Sequence, residues 1–242
     1  MQTSHLHKFR IKYILFRERA ISRRGIMRVL VTGASGGIGK AICSLFLSRG
    51  HEVIGMDILP SDLQLKNYTH VIHDIRDTEW PDLGKIEILV NCAGVQTQTA
   101  EDIAVNLSAA IELTEHYAVQ ENIRAVVNVS SASALTGSEF PHYAASKGGL
   151  NAYTKNLALR LAEYGATVNA VCPGGVITDL NRHILENEEL YKAVLDEALL
   201  HRWSTPEEIA EWVFFLACVN RSMTGENLLI DNGEALRSNF IW

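Results

Sequence analysis

From Met27 onward the chain alternates short apolar runs with amphipathic stretches. MRVLVT (27–32) is rich in β-branched residues and has no polar alternation, as expected of a strand buried on both faces. In KAICSLFLSRG, Ile42, Leu45 and Phe46 fall at helical spacing, and Gly50 marks the stop. The same logic predicts strands at HEVIGMD (51–57), HVIHD (70–74), EILVN (87–91), AVVNVS (125–130), ATVNAVC (166–172) and ENLLID (226–231). Between them, helices are expected at AAIELTEHYAV (109–119), at the long segment 141–165, near 181–200, and after Thr205. Thr205, Pro206 and Glu208 form a capping box with proline at the first helical position. Strand and helix alternate throughout, and no Pro/Gly/Ser linker interrupts them. The economical architecture is one α/β domain with a parallel sheet of about seven strands and helices on both faces, the doubly wound Rossmann type.

Charge separates a leader from this body. Residues 1–26 hold seven Lys/Arg against Glu18 alone, while residues 27–242 carry 15 basic and 27 acidic side chains. The leader is read as a basic extension foreign to the 27–242 body. It is either a transit-like or disordered arm, or sequence upstream of a true start at Met27, and the second reading is preferred. A net charge of −6 disfavours a nucleic-acid surface, and no apolar run approaches the ~20 residues of a membrane span. Cys43, Cys92, Cys172 and Cys218 form no CxxC pair, which predicts free thiols in a reducing, cytoplasmic setting. His51, His70 and His73 have no metal-ligand spacing, so no metal is expected.

The first strand runs into Thr32-Gly33-Ala34-Ser35-Gly36-Gly37-Ile38-Gly39 and then into a helix. Glycines there permit positive φ and close approach of a pyrophosphate, and the helix start offers free N–H groups. Asp57 ends the second strand, where a carboxylate can accept the adenosine ribose hydroxyls and repel a 2′-phosphate. With no Arg or Lys in the loop and Ile58 after the aspartate, NAD is preferred over NADP.

The loop 32–39 is followed in order by Asn91-Cys92-Ala93-Gly94, Asn106, Val129-Ser130-Ser131, Tyr143 with Lys147, and Pro173 to Thr178, and this ordered set resembles the short-chain dehydrogenase/reductase family over roughly residues 27–233. TGASGGIG matches its TGxxxGxG, and Asn91-Cys92-Ala93-Gly94 its NNAG, with Cys for the second Asn. Asn106, Val129-Ser130-Ser131, Tyr143 with Lys147 (YxxxK), and Pro173-Gly174-Gly175-Val176-Ile177-Thr178 match the motifs that follow. Only thirteen residues separate Ile75 from Leu89, and only eleven separate Gly94 from Asn106. The helix usually joining the third and fourth strands should therefore be missing or a single turn. This compact form resembles the bacterial 3α-hydroxysteroid dehydrogenase/carbonyl reductase branch.

The resemblance implies an oxidoreductase that interconverts a secondary alcohol and a ketone. Tyr143 would exchange the hydroxyl proton, aided by Lys147 one helical turn away, because a nearby ammonium favours the phenolate. Ser131 would polarise the reacting oxygen, with Ser130 and Ser133 as alternatives, and Asn106 would hold a proton-relay water. Gly33, Ser35, Gly36, Gly37, Ile38 and Gly39 would take the pyrophosphate side. Asp74 and Ile75 would meet adenine, and Asn91, Ala93 and Gly94 would line the cleft. Pro173, Gly174 and Val176 would border the nicotinamide, and Thr178 would bind its carboxamide or the pyrophosphate. The segment 180–203 is either a substrate lid or a helix fixed on the sheet. Expected partners are a small alcohol or ketone and a second copy of the chain, as a dimer or tetramer. The competing reading is a dinucleotide-binding sensor of the same fold that turns nothing over.

Overall fold

The computed structural model describes residues 25–138 and 140–236; most of the basic leader lies outside them. Seven parallel strands form one sheet: β1 (Arg28–Thr32), β2 (Glu52–Asp57), β3 (Tyr68–Ile72), β4 (Ile88–Asn91), β5 (Ala125–Val129), β6 (Thr167–Pro173) and β7 (Asn227–Ile230). Their spatial order is β3-β2-β1-β4-β5-β6-β7. The chain leaves β1 in one direction and returns beside it as β4, so a crevice opens beyond the carboxyl ends of these two strands.

The period of two within each strand divides the core. In β1, Val29 and Val31 point to a layer with Phe46 and Phe214, contributed by the helices Gly37–Ser48 and Pro206–Phe214. Leu30 points the other way, to Leu113 and Leu157 on the helices Ala110–Tyr117 and Pro141–Leu161. Both faces are covered, which is why β1 reads as a continuous apolar run. No helix among the described residues is long and apolar enough to cross a membrane.

The expected elements are present, with informative shifts. β3 starts two residues before the expected HVIHD, because Asn67 adopts a φ of 66° and turns the chain into register with Val53. No helix joins β3 to β4; Trp80 fills that space instead, its ring 5.4 Å from His73 and 6.0 Å from Tyr117. The helix expected at 109–119 begins earlier, at Glu101–Ile103, and passes through a π-helical stretch, Ala104–Ala109, that contains Asn106. The single helix expected near 181–200 is broken, because the Asn187 side chain accepts from the Leu190 amide and starts a new helix, Glu188–Glu197.

The capping box is complete: the Glu208 amide donates to Thr205 Oγ1 at 3.3 Å and the Thr205 amide donates to Glu208 Oε2 at 2.9 Å. Thr205→Ala is expected to cost about 1 kcal/mol, read as a lower midpoint of urea unfolding at unchanged slope.

Candidate active site

The crevice begins at the glycine loop. Gly33 has a φ of +67°, and a Cβ there would lie 2.7 Å from the Ala93 Cα. A Cβ on Gly39 would lie 2.0 Å from the Gly33 carbonyl oxygen. Glycine at 33 thus lets the loops after β1 and β4 touch, and glycine at 39 lets the helix start pack against the turn before it. Thr32 fastens the same junction, its Oγ1 accepting from the amides of Cys92 and Ala93, both at 3.1 Å. At the helix N-terminus, Gly36 supplies no side-chain cap and the first turn has no acidic residue. Its amides are therefore left to a ligand, and with the glycine cradle they fit a dinucleotide pyrophosphate. Asp57 accepts from the amides of Ser35 and Leu59, each at 2.9 Å. A carboxylate has about four acceptor sites, so others remain for the cleft that Asp57 lines.

The cleft has a volume of about 1300 Å³ and collects nearly all the expected residues. Gly33, Ser35, Gly36, Gly37, Ile38, Gly39, Asp57, Asp74 and Ile75 line one end. Ala93, Gly94, Ser131, Tyr143, Lys147, Pro173, Gly174, Val176 and Thr178 line the rest. Asn91, expected at the cleft, is not among its walls. Strand alternation turns its side chain under the sheet, where Nδ2 donates to Thr114 Oγ1 (2.8 Å) and Asn128 Oδ1 (2.9 Å). Asn106 is also buried, and its amide is spent on structure: Oδ1 accepts from the Val95 amide at 2.7 Å, and Nδ2 donates to the Val95 carbonyl at 2.8 Å. A Cβ at Gly94 would lie 3.1 Å from Asn106 Oδ1 and 3.3 Å from Lys147 Nζ, so both side chains converge on that glycine.

Tyr143 and Lys147 stand one turn apart on Pro141–Leu161, with the ammonium 5.7 Å from the phenol ring centre. Lys147 is only 5% exposed, and its Nζ donates to the Val129 carbonyl at 2.9 Å. Burial pulls its pKa down to about 8, against the opposing influence of Cys92, Cys172 and Asp102. Among the serines, Ser130 donates to the Lys147 carbonyl at 3.2 Å and so braces the helix. Ser131 Oγ accepts from Ser133 Oγ at 3.0 Å and from the Ser133 amide at 3.2 Å.

Two residues were missed from sequence. Asp102 is fully buried and accepts from the Thr97 amide (2.7 Å) and the Gln98 amide (3.1 Å), fixing the segment after Gly94. An acid at the start of a helix was the available signal. Trp203 lines the cleft and lies against Gly175, where a Cβ would meet its Nε1 at 2.1 Å. Its sequence neighbourhood carried no sign of this.

A family model described as enoyl-(acyl carrier protein) reductase matches residues 66–234. The 3-oxoacyl-[acyl-carrier-protein] reductase FabG of Vibrio cholerae is 31% identical over 84% of this chain and 95% of its own length. An uncharacterised short-chain type dehydrogenase/reductase of Sinorhizobium fredii is 33% identical over 85% of this chain, which spans only 43% of that longer protein. Among solved structures, a candidate 2-deoxy-D-gluconate 3-dehydrogenase from Agrobacterium tumefaciens with bound NADP superposes with a TM-score of 0.82. It is 29% identical, over 90% of this chain and 99% of that one. A 4-hydroxyisoleucine dehydrogenase complexed with NADH gives a TM-score of 0.80 at 26% identity, over 88% of this chain and 100% of that one. With the glycine cradle, the uncapped helix and the Tyr143–Lys147 pair meeting in one crevice of a seven-stranded parallel sheet, these matches establish that the chain belongs to the short-chain dehydrogenase/reductase family of oxidoreductases.

Proposed function

We propose that the protein is an NAD(H)-dependent oxidoreductase that interconverts a secondary alcohol and a ketone, with Tyr143 as the acid/base. The observation that carries this reading is the buried Lys147 ammonium beside the Tyr143 ring, in the cleft that also holds Ser131 and the glycine loop. A bound nicotinamide supplies the acceptor or donor of hydride. Tyr143 Oη takes the proton from the substrate hydroxyl, or returns it to the ketone oxygen. Lys147 favours the phenolate by its charge, and Ser131 donates to the oxygen on which charge develops. Asn106 acts one step removed: its side chain is tied to Val95 and, with Lys147, converges on Gly94, which supports its role in holding a relay water to the ammonium.

The preference for NAD rests on Asp57, whose carboxylate stands against a 2′-phosphate. Solved relatives bind either NADP or NADH, so fold likeness alone does not choose. Asp57→Asn keeps an acceptor for the Ser35 amide and removes the charge. It is expected to narrow the NAD/NADP ratio of kcat/KM by about tenfold or more, since a like-charge juxtaposition costs several kcal/mol. The deciding experiment is a spectrophotometric screen of NAD⁺ against NADP⁺ over secondary alcohols, together with ketones and 3-oxoacyl thioesters in the reductive direction. Tyr143→Phe serves as the blank. Equal use of both cofactors would remove the Asp57 argument, and binding of NADH without turnover across the panel would favour a sensor.

A further inference from the structure

One wall of the cleft carries an unbalanced charge. Three segments build it: Gly174-Gly175 after β6, the stretch containing Trp203, and the turn after β7. A Cβ on Gly174 would meet Glu234 Oε2 at 2.8 Å, just as one on Gly175 would meet Trp203. The paired glycines therefore leave the room that Glu234 and Trp203 fill.

Glu234 is held there by its turn. The Asp231 carboxylate accepts from the amides of Gly233 (2.9 Å) and Ala235 (2.8 Å), which closes the turn. Asn232 ties the turn to the neighbouring segment: its carbonyl accepts from the Leu200 amide at 3.1 Å, and its Nδ2 donates to Ser204 Oγ at 2.9 Å. Glu234 is half-buried on the cleft wall, with the Gly175 amide facing its carboxylate. Burial pushes its carboxyl upward against the opposing hydrogen bond from the Gly175 amide, and the charges of Glu197 and Asp231 add to the rise.

The cations of the cleft are engaged elsewhere. Arg76 bridges Asp74 (2.6 Å) and Glu101 (3.1 Å) at the far end, and Lys147 is bound to Val129. Glu197 adds a second carboxylate to the same wall; the remaining basic groups lining the cleft among the described residues are His183 and His73, whose Nε2 lies 3.1 Å from the Asp77 carbonyl.

We propose that Glu234 is a specificity-determining residue of this cleft, selecting alcohols that present a further hydrogen-bond donor, a hydroxyl or an ammonium, and rejecting those that present a carboxylate. The inference rests on the alcohol–ketone reading of Tyr143 and adds the substrate class to it. A half-buried carboxylate gains a charge-assisted hydrogen bond from a donor. An apolar substrate such as a hydroxysteroid offers it no partner beyond the Gly175 amide, and it repels an anion.

The test is a matched set of secondary alcohols on one short skeleton ending in ammonium, hydroxyl, methyl or carboxylate. Each is assayed with saturating NAD⁺ in wild type, Glu234→Gln and Glu234→Leu. Wild type is expected to rank the ammonium and hydroxyl members above methyl, with carboxylate last. Glu234→Gln should raise KM for the ammonium member about tenfold with kcat changed less than about twofold. Both variants should improve the carboxylate member relative to the others. An unchanged ranking in the variants would overturn the proposal while the Tyr143 reading stands. So would a rise in the KM for NAD⁺ in place of that for the alcohol, which would put Glu234 on the cofactor. No turnover of any member by wild type, with the same result for Tyr143→Phe, would defeat both.

Discussion

Tyr143→Phe is expected to lower turnover by about 10²–10⁴-fold, the usual contribution of a positioned acid/base, while NADH affinity stays within about threefold. The substitution removes one oxygen and leaves the ring that packs beside Lys147. Because the glycine cradle and Asp57 lie at the other end of the cleft, dinucleotide binding should survive. Steady-state kinetics and NADH fluorescence titration measure the two effects separately. Retained turnover would mean that the proton comes from elsewhere, with His183, which lines the cleft, and His142, beside Tyr143 in the chain, as candidates. Parallel loss of NADH binding would mean that Tyr143 serves cofactor binding and not proton transfer.

Lys147→Met is expected to abolish most turnover and yet to make the fold more stable at pH 7. The lysine is buried, and its pKa has fallen from the ordinary 10.5 to about 8. Such a shift corresponds to about 3 kcal/mol at ~1.36 kcal/mol per unit. The sign follows from linkage. Between about pH 8 and 10.5 the unfolded chain binds a proton that the folded protein has released, so wild-type stability rises with pH across that window. Below about pH 8 the folded protein carries the full cost of a desolvated ammonium.

Methionine has no such cost but strands the Val129 carbonyl, worth about 1–3 kcal/mol. The net gain should be about 1 kcal/mol at pH 7 and should vanish or reverse toward pH 10. Urea unfolding at pH 7 and pH 10 measures it; a variant clearly less stable at pH 7 would show that the ammonium is better solvated in its site than its burial implies. Stability given up at Lys147 is intelligible if the charge beside Tyr143 is what the site needs.

Most of the frame was legible because short-range rules produce it. Seven apolar runs became seven strands; the inner ones were plainest, since a strand buried on both faces, such as β4 or β5, cannot hide its composition. Thr205 and Glu208 announced a helix start that involves only four consecutive residues. The glycine loop was legible for the same reason: strand, turn and helix are adjacent in the chain. Where the reading slipped, a long-range contact or a local competitor had decided. The start of β3 was set by pairing with Val53, and the 181–200 helix was cut by the Asn187 side chain. The helix around Asn106 widened into a π turn as its side chain bonded to Val95, eleven residues away.

The site divides in the same way. The spacing of Tyr143 and Lys147 already placed them on one helical face, because 3.6 residues per turn leaves no other arrangement. Sequence could rank the three serines only by register; their bonding partners separate them, with Ser130 turned to the Lys147 carbonyl. It could not show Asn91 facing the buried Asn128 and Thr114, or Trp203 against Gly175. Nor could it bring Glu234 to the cleft wall, sixty residues after Gly174 in the chain. Periodicity and motif order, which are local, determined the fold class, the glycine loop and the placement of Tyr143 one turn from Lys147. Burial, side-chain direction and the charge on the cleft wall depend on which distant segments fold against each other, and those only the packed molecule decides.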